Sequence, residues 1–390
     1  MSDSVPAMIT QPRLMMVGGG ACGEAAASMA RIGVSRPLIV TDAFIHDSGM
    51  LARLTDGLDD AEIAYEVFAD TVPDPTTEVV DTGADVLRAG NFDSMIAIGG
   101  GSPIDTAKAM GVLATHGGQM HDYKVPAQVD SSDYPIVAIP TTAGTGSEVT
   151  RFTVITNTET DEKMLCMGLG YVPVCALIDY TLSMTMPLRL TADTGIDTLT
   201  HAIEAYVSKK QNPFADSMAL SCMRLVAGSI RTACATPDDA AAREAMMLAA
   251  TQGGLAFSNA SVCLVHGMSR PIGAHFHVPH GLSNAMLLPA VTAFSAPQAV
   301  DRYADCARAM SVADAEVGDQ AAVAMLVEEL RALNAELEVP SPEAYGIDAD
   351  KYRELTPTMA KQALASGSPG NNPRVPSAEE IVSLYEEVWA

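Results

Sequence analysis

Basic residues are scarce in this sequence. Lysine and arginine together number 23 against 48 aspartates and glutamates, a formal net charge of −25. So acidic a chain repels phosphate backbones and anionic bilayers, which argues against nucleic acid or a membrane surface as a partner. Long apolar runs are missing too: no stretch reaches the ~18 uninterrupted apolar residues of a membrane span. The N-terminal MSDSVPAMITQPR has no basic segment followed by an apolar one, so no secretory signal is expected. The seven cysteines are odd in number, scattered, and form no CxxC. That pattern fits reduced thiols in a cytoplasmic protein better than a disulfide framework. Aromatic residues make up only 5% of the chain while 48% is hydrophobic, so the core must be built from aliphatic side chains. With 390 residues the chain is long enough for two domains with sizeable cores. There is no internal repeat and no low-complexity block.

What is present is an alternation. Short apolar runs at Arg13–Val17, Pro37–Thr41, Ala64–Phe68, Asp93–Ile98 and Pro135–Ile139 are predicted strands, with Phe152–Thr156 and Ala176–Asp179 as further ones. Helical patterns at Ser48–Ala61, Thr76–Arg88 and the segment up to Thr115 separate them. Strands alternating with helices imply a parallel sheet with crossover helices. From about Pro187 strand-like runs vanish and helical periodicity takes over. Helices are predicted at Ala192–Val207, Phe214–Cys234, Asp238–Ser258, Val262–Gly267, Ala296–Met310, Asp319–Ala332 and Ser377–Val388. The boundary falls within Thr181–Pro187, dividing an α/β domain (1–184) from an all-helical one (185–390).

Histidine is concentrated in one place. Four of the eight histidines, His266, His275, His277 and His280, lie between Ser261 and Pro289. Neutral imidazole is the commonest metal ligand, and a carboxylate to complete such a site stands upstream in Gly195-Ile-Asp-Thr-Leu-Thr-His201. Asp197 and His201 are four apart and share one face of a helix. Asp197, His201, His266 and His280 make a plausible oxygen/nitrogen site for a divalent metal.

Three glycine-rich turns compete for a phosphate. Gly18-x-Gly20-x-x-Gly23 follows a predicted strand, and Asp42 ends the next strand at the distance a dinucleotide fingerprint asks. Gly99-Gly100-Gly101-Ser102 sits between a strand and a helix, with Ser102 as a cap and Pro103 in the first turn. Consecutive glycines and a helix N-terminus admit an oxyanion closely. Asp105 and Lys108 follow on that helix, and each has an ordinary reading, as a complement to the helix dipole and as a solvated lysine. Thr141-Thr142-Ala-Gly-Thr145-Gly-Ser147-Glu148 follows another apolar strand. Two such loops at the ends of successive strands are where α/β folds hold nucleotides.

Taken in order, GGGSPIDTAK, IPTTAGTGSEVT, GIDTLTHAIEAYVS, VHGMSRPIGA and PHGLSNAMLLP resemble the iron-containing (group III) alcohol dehydrogenases over almost the whole chain. The resemblance implies a dehydroquinate synthase-like fold, a Rossmann-like parallel sheet followed by a helical domain, with the active site in the cleft between them. It implies that Gly99, Gly100, Gly101 and Ser102 bind the pyrophosphate of NAD and that Thr141, Thr142, Thr145 and Ser147 line the nucleotide. Asp42 would accept from ribose hydroxyls and repel a 2′-phosphate, favouring NAD over NADP; Lys163 would lie near the nicotinamide ribose. The family's metal ligands match Asp197, His201, His266 and His280, for Fe²⁺ with Zn²⁺ as the alternative. Gly18–Gly23 then reverts to a structural turn. The implied reaction is reversible hydride transfer between a small primary alcohol and NAD, in a homo-oligomer, a dimer or higher, with the metal as Lewis acid on the alcohol oxygen.

One departure stands out. Many members carry Ala-His after VHGM, a histidine proposed to relay a proton; this chain has Ser269-Arg270. Arginine stays protonated and is no general base. Arg270 either holds an anionic group of the substrate or pairs with a structural carboxylate, and proton transfer passes to water, ribose, His275 or His277. Asp105, Arg270 and His277 are therefore the candidate catalytic residues. Rival readings are an oxidoreductase acting on an anionic hydroxy substrate, a dehydroquinate synthase-like enzyme, whose ligand set carries Glu, a maleylacetate reductase-like member lacking the full ligand set, and a non-enzymatic structural oligomer.

Overall fold

Residues 6–160 and 162–390 are described by a computed structural model of the chain. They divide into two units, one of residues 10–186 and one of residues 187–390 together with the stretch before Thr10.

In the first unit, short β-branched and aliphatic runs form the strands β1 (Leu14–Val17), β2 (Pro37–Asp42), β3 (Glu66–Thr71), β4 (Ser94–Gly99), β5 (Ile136–Pro140), β6 (Phe152–Asn157), β7 (Glu162–Met167) and β8 (Cys175–Ile178). The helices between them are α1 (Ala25–Ile32), α2 (Ala43–Asp47), α3 (Ala52–Asp60), α4 (Thr77–Ala89) and α5 (Gly101–His116). Six strands make one parallel sheet in the order β1-β8-β5-β4-β2-β3. Alternate side chains feed two cores. Leu38, Val40, Met95, Ala97, Ile136 and Ala138 pack with Val80, Leu87 and Met110 on one face. Ile39, Ile96, Ile98, Val137 and Ile139 pack with Met29, Leu54 and Leu58 on the other. Because both faces are covered, β4 and β5 are buried at every position.

The direction of travel reverses once. From β2 the chain moves outward to β3, then returns past β2 to β4 and on to β5 and β8. The switch point lies between β2 and β4, so Asp42 and Gly99, which end those strands, flank the crevice where such sheets bind ligands.

Three local readings need correction. The predicted helix over Ser48–Ala61 is the shorter α3, which starts at Ala52 after Gly49, whose φ is +78°, and a separate short helix, α2, precedes it. The Phe152–Thr156 run lies outside the main sheet and pairs antiparallel with β7, which was not foreseen. Ser102 is not the cap of α5: the helix starts at Gly101 with Gly100 at the N-cap and no side-chain cap.

The second unit is helical: α6 (Leu188–Val207), α7 (Pro213–Ala235), α8 (Ala240–Ala260), α9 (Leu264–Phe276), α10 (His280–Ser295), α11 (Val300–Ala309), α12 (Asp319–Glu336), α13 (Pro342–Tyr345), α14 (Ala349–Ala365) and α15 (Ala378–Glu387). Of these, α10, α13 and α14 were not anticipated: α10 is apolar almost all round, so its one-sided periodicity is weak, α13 is only four residues long, and α14 carries Pro357 in its interior. α9 extends past the predicted Gly267, since Pro271 forfeits a single ladder bond to the carbonyl four residues back. Close approaches set the helices that matter. A Cβ on Gly281 would come within 2.7 Å of the Asp193 carbonyl oxygen, so α10 begins hard against α6. A Cβ on Gly267 would come within 2.7 Å of Pro369, so α9 rests on the Ser368–Asn371 turn. Among the described residues no single helix is long and apolar enough to cross a membrane; α8 and α9 qualify only together and meet at 106°.

Candidate metal centre and nucleotide loops

Three helices bring four candidate ligands to one point. α6 supplies Asp197 and His201 one turn apart, α9 supplies His266 from its first turn, and α10 supplies His280 as its first residue. One donor atom from each lies within 4.8 Å of every other. Asp197 Oδ1 is 3.7 Å from His201 Nε2 and 3.6 Å from His266 Nε2. Asp197, His201 and His266 are buried and His280 is exposed, so the group opens to solvent at His280. Stacking fixes the ring planes: His201 lies between Phe257, at 4.3 Å, and His266, at 4.7 Å.

The surroundings prepare the group for a cation. Burial, followed by the neighbouring His201, pushes the pKa of His266 well below its usual value, which leaves a neutral ring with a lone pair to give. Its Nδ1 is 2.7 Å from Glu204 Oε2, which holds the proton on Nδ1 and turns Nε2 toward Asp197. Burial works against ionisation of Asp197, but the three imidazoles and the Asn284 amide outweigh it and hold its pKa below the ordinary value. Asn284 tests the convergence directly. Its Nδ2 donates to Asp197 Oδ1 at 2.6 Å and lies 3.2 Å from both His266 Nε2 and His280 Nε2. The two N–H donors of a neutral amide thus stand where lone pairs of Asp197, His266 and His280 converge, while Asn284 Oδ1 is buried without a partner. One carboxylate oxygen and three imidazole nitrogens converging in this way suit Fe²⁺ or Zn²⁺.

Glu204 completes the arrangement from one turn beyond His201. Its Oε1 accepts from Val265 N at 2.6 Å and its Oε2 from Cys263 N at 2.9 Å, so it also caps the start of α9. Burial pushes its pKa up to about 7 against these hydrogen bonds. Glu204 and Asn284 were missed in the sequence. Asp197, His201 and Glu204 follow an i, i+4, i+7 spacing, and Asn284 stands four after His280; one helical face carries each set.

Arg270 lies one turn after His266 on α9, and half-buried. Its Nη1 donates to Ser368 Oγ at 3.0 Å. No carboxylate among the described residues stands within ion-pair distance of it, although the charge of the buried Glu204 acts on it from further off. His277 is exposed at the C-terminal end of α9 with φ +55°. His275 points to Gln362, with Nε2 2.8 Å from Oε1.

In the α/β unit the loops after β4 and β5 interlock. Gly99 has φ +153°, and a Cβ there would strike Pro103 at 2.5 Å. A Cβ on Gly101 would meet Thr145 at 2.9 Å and one on Gly100 would meet Thr142 at 3.4 Å. The glycines are thus needed for the close packing of the two loops, and the first N–H groups of the long helix α5 have no side-chain cap, so they remain free to take a phosphate. Thr141 is buried beside Gly99, donating its N–H to the Gly99 carbonyl at 2.8 Å. Asp42 accepts from Ile45 N at 2.9 Å and so caps α2 with one of its oxygens. Lys163, on β7, pairs with Asp74 at 2.8 Å.

Asp105 and Lys108 have structural partners. Asp105 accepts from Ser147 Oγ and from Val154 N at 2.9 Å. The sequence allowed a solvated Lys108; it is fully buried, donating to Ser147 Oγ, to Thr150 O and Oγ1 and to Phe152 O at 2.9–3.1 Å. Its three N–H groups, shared among four acceptors, offset the burial and hold the loop. The Gly18–Gly23 turn is closed by Asp179, which accepts from Gly20 N and Cys22 N.

Residues 12–180 match the family described as iron-containing alcohol dehydrogenase, and residues 191–389 match the C-terminal part of the Fe-containing alcohol dehydrogenase family. Lactaldehyde reductase of Escherichia coli (strain K12) is 37% identical over 374 residues, 95% of this chain and 97% of that protein. The crystal structure of 1,3-propanediol oxidoreductase superposes with a TM-score of 0.94 at 32% identity, covering 98% of this chain and all of that one. Sulfoacetaldehyde reductase from Bifidobacterium kashiwanohense, solved in complex with NAD+, superposes with a TM-score of 0.89 at 27% identity, covering 99% and 100%.

Proposed function

We infer, for a chain that belongs to the iron-containing alcohol dehydrogenase family, a reversible transfer of hydride between a small alcohol and NAD. The observation that carries this reading is the convergence of Asp197, His201, His266 and His280 on one point, open on the His280 side. A divalent cation held by these four, Fe²⁺ in keeping with the family or Zn²⁺, would supply Lewis acidity that lowers the pKa of an alcohol. NAD would supply the hydride acceptor. NAD in the solved neighbour supports that choice of cofactor.

The chain's own residues do the rest. Glu204 keeps His266 in the tautomer whose Nε2 faces Asp197. Gly99, Gly100, Gly101 and Ser102, with the N-terminus of α5, hold the pyrophosphate. Asp42, on one side of the switch point, accepts from ribose hydroxyls and repels a 2′-phosphate. Thr141, Thr142, Thr145 and Ser147 line the nucleotide, and Lys163 contacts the nicotinamide ribose. Asp105 works at one remove, positioning Ser147 and β6 instead of touching substrate. His277, three residues before His280 and exposed, accepts the alcohol's proton. A cytoplasmic homo-oligomer is also proposed; seven free, buried cysteines support the compartment.

The test is anaerobic metal analysis together with NADH release from a panel of primary alcohols. About one Fe or Zn per chain with chelator-sensitive turnover upholds the reading. No turnover after Fe²⁺ reconstitution overturns it.

A further inference from the structure

We propose that Arg270 is an anion-binding subsite, and that the substrate is a short alcohol or aldehyde carrying a carboxylate, sulfonate or phosphonate. This rests on the dehydrogenase reading above. Arg270 follows His266 by one helical turn, so both side chains leave the same face of α9. Their Cβ atoms are therefore about 5–6 Å apart, which puts Arg270 beside a member of the Asp/His quartet.

Its hydrogen bonding is incomplete in a specific way. Nη1 is occupied by Ser368 Oγ, a neutral acceptor. Nε and Nη2 donate to no group among the described residues, and neither is among the sealed polar atoms. The edge left over is the Nε/Nη2 pair, the fork that matches two oxygens of a planar carboxylate or a tetrahedral oxyanion. Glu204 offsets part of the charge from a distance, but a half-buried arginine that makes no direct ion pair keeps the capacity to take an anion.

The side chain is also held in place. Ser368 belongs to the turn Ser368–Asn371, whose Pro369 packs on Gly267 of the same helix, one turn before. Asn371 ties this turn to Ser261 Oγ and the Val262 carbonyl, just ahead of α9. The contacts that seat α9, and with it His266, thus also fix the Arg270 rotamer. A residue one helical turn from His266 favours a short ligand, with about two or three carbons between hydroxyl and anion. Hydroxyalkyl sulfonates, phosphonates and carboxylates of that length share the required chemistry.

The experiment compares wild type with Arg270→Gln, Arg270→Lys and Ser368→Ala, each loaded with Fe²⁺. One arm measures kcat/KM for 2-hydroxyethanesulfonate, 2-hydroxyethylphosphonate, 3-hydroxypropanoate and 1-propanol. The other measures, by calorimetry, the affinity of unreactive ethanesulfonate for the NAD complex. Arg270→Gln should lower the ratio of anionic to neutral kcat/KM by roughly 30- to 100-fold, chiefly through KM, and weaken ethanesulfonate by a similar factor. Arg270→Lys should recover part of the loss, as a point charge without the fork. Ser368→Ala, which keeps the charge, should fall between and serves if the glutamine variant does not fold. An anionic-to-neutral ratio and an ethanesulfonate affinity both indifferent to residue 270 overturn the proposal. Failure of the dehydrogenase reading looks different: no NADH from any alcohol, with ethanesulfonate affinity still dependent on Arg270.

Discussion

Glu204 accepts the Nδ1 proton of His266 at 2.7 Å while its two oxygens also cap the backbone of Cys263 and Val265. One carboxylate thus fixes both the start of α9 and the tautomer of the ligand that α9 presents. Orientation of this kind is worth about 10- to 100-fold in metal affinity. Glu204→Gln places an amide that donates where three donors already point. Metal affinity measured by chelator competition should fall by about that factor, and ¹⁵N shifts of His266 should show loss of the single tautomer. Unchanged competition curves would remove Glu204 from the metal's support.

His266→Ala deletes a ligand from the buried side of the quartet. Metal content and alcohol oxidation should be lost, while NADH affinity, which the proposal assigns to the loops after β4 and β5, should stay within about threefold. Elemental analysis and fluorescence titration of NADH separate the two. Metal retained at the wild-type level would falsify the ligand assignment.

Asp42 caps α2 through Ile45 N and is proposed to face the ribose, and substitution can divide the two roles. Asp42→Asn retains an oxygen to cap Ile45 N but removes the charge. The kcat/KM preference for NAD over NADP should drop by roughly tenfold, with little change in Tm. Asp42→Gly should relax the preference equally, at a cost of only a few tenths of a kcal/mol for the lost cap. A preference that survives both substitutions would place discrimination elsewhere.

Burial lowers the pKa of Lys108 from 10.5 to about 8, against the opposing charges of Asp105 and Glu148. The folded pKa is below the unfolded one. Protonated Lys108 therefore penalises the native state below about pH 8, and the penalty lifts as pH rises toward about 10.5. Across that window the stability of wild type should rise relative to Lys108→Met, by up to about 3 kcal/mol. At neutral pH the variant leaves Ser147, Thr150 and Phe152 short of a donor and should raise the KM for NAD through the Ser147 loop. Urea midpoints of both proteins at pH 7.5 and 10.5 are the check; parallel behaviour would remove the buried charge from the account.

The order of elements, the parallel sheet and the change to helices near Pro187 follow from local periodicity, and so they could be read from the chain alone. Asp197 and His201 could be paired for the same reason, since four residues make one turn, and Glu204 was open to the same argument. Arg270 was visible as an unusual residue, but its partner was not, because Ser368 lies 98 residues away. Nor could spacing show that α10 presses against α6 through Gly281, which brings His280 and Asn284 to Asp197. The run at Phe152–Thr156 has strand character in any sheet; only its pairing with β7 set it apart from the six-stranded sheet. Lys108 shows the limit most plainly. A lysine on a helix reads as solvated until the tertiary fold surrounds it with four acceptors, and burial is a property of the neighbours that packing supplies, not of the residue's own stretch of chain.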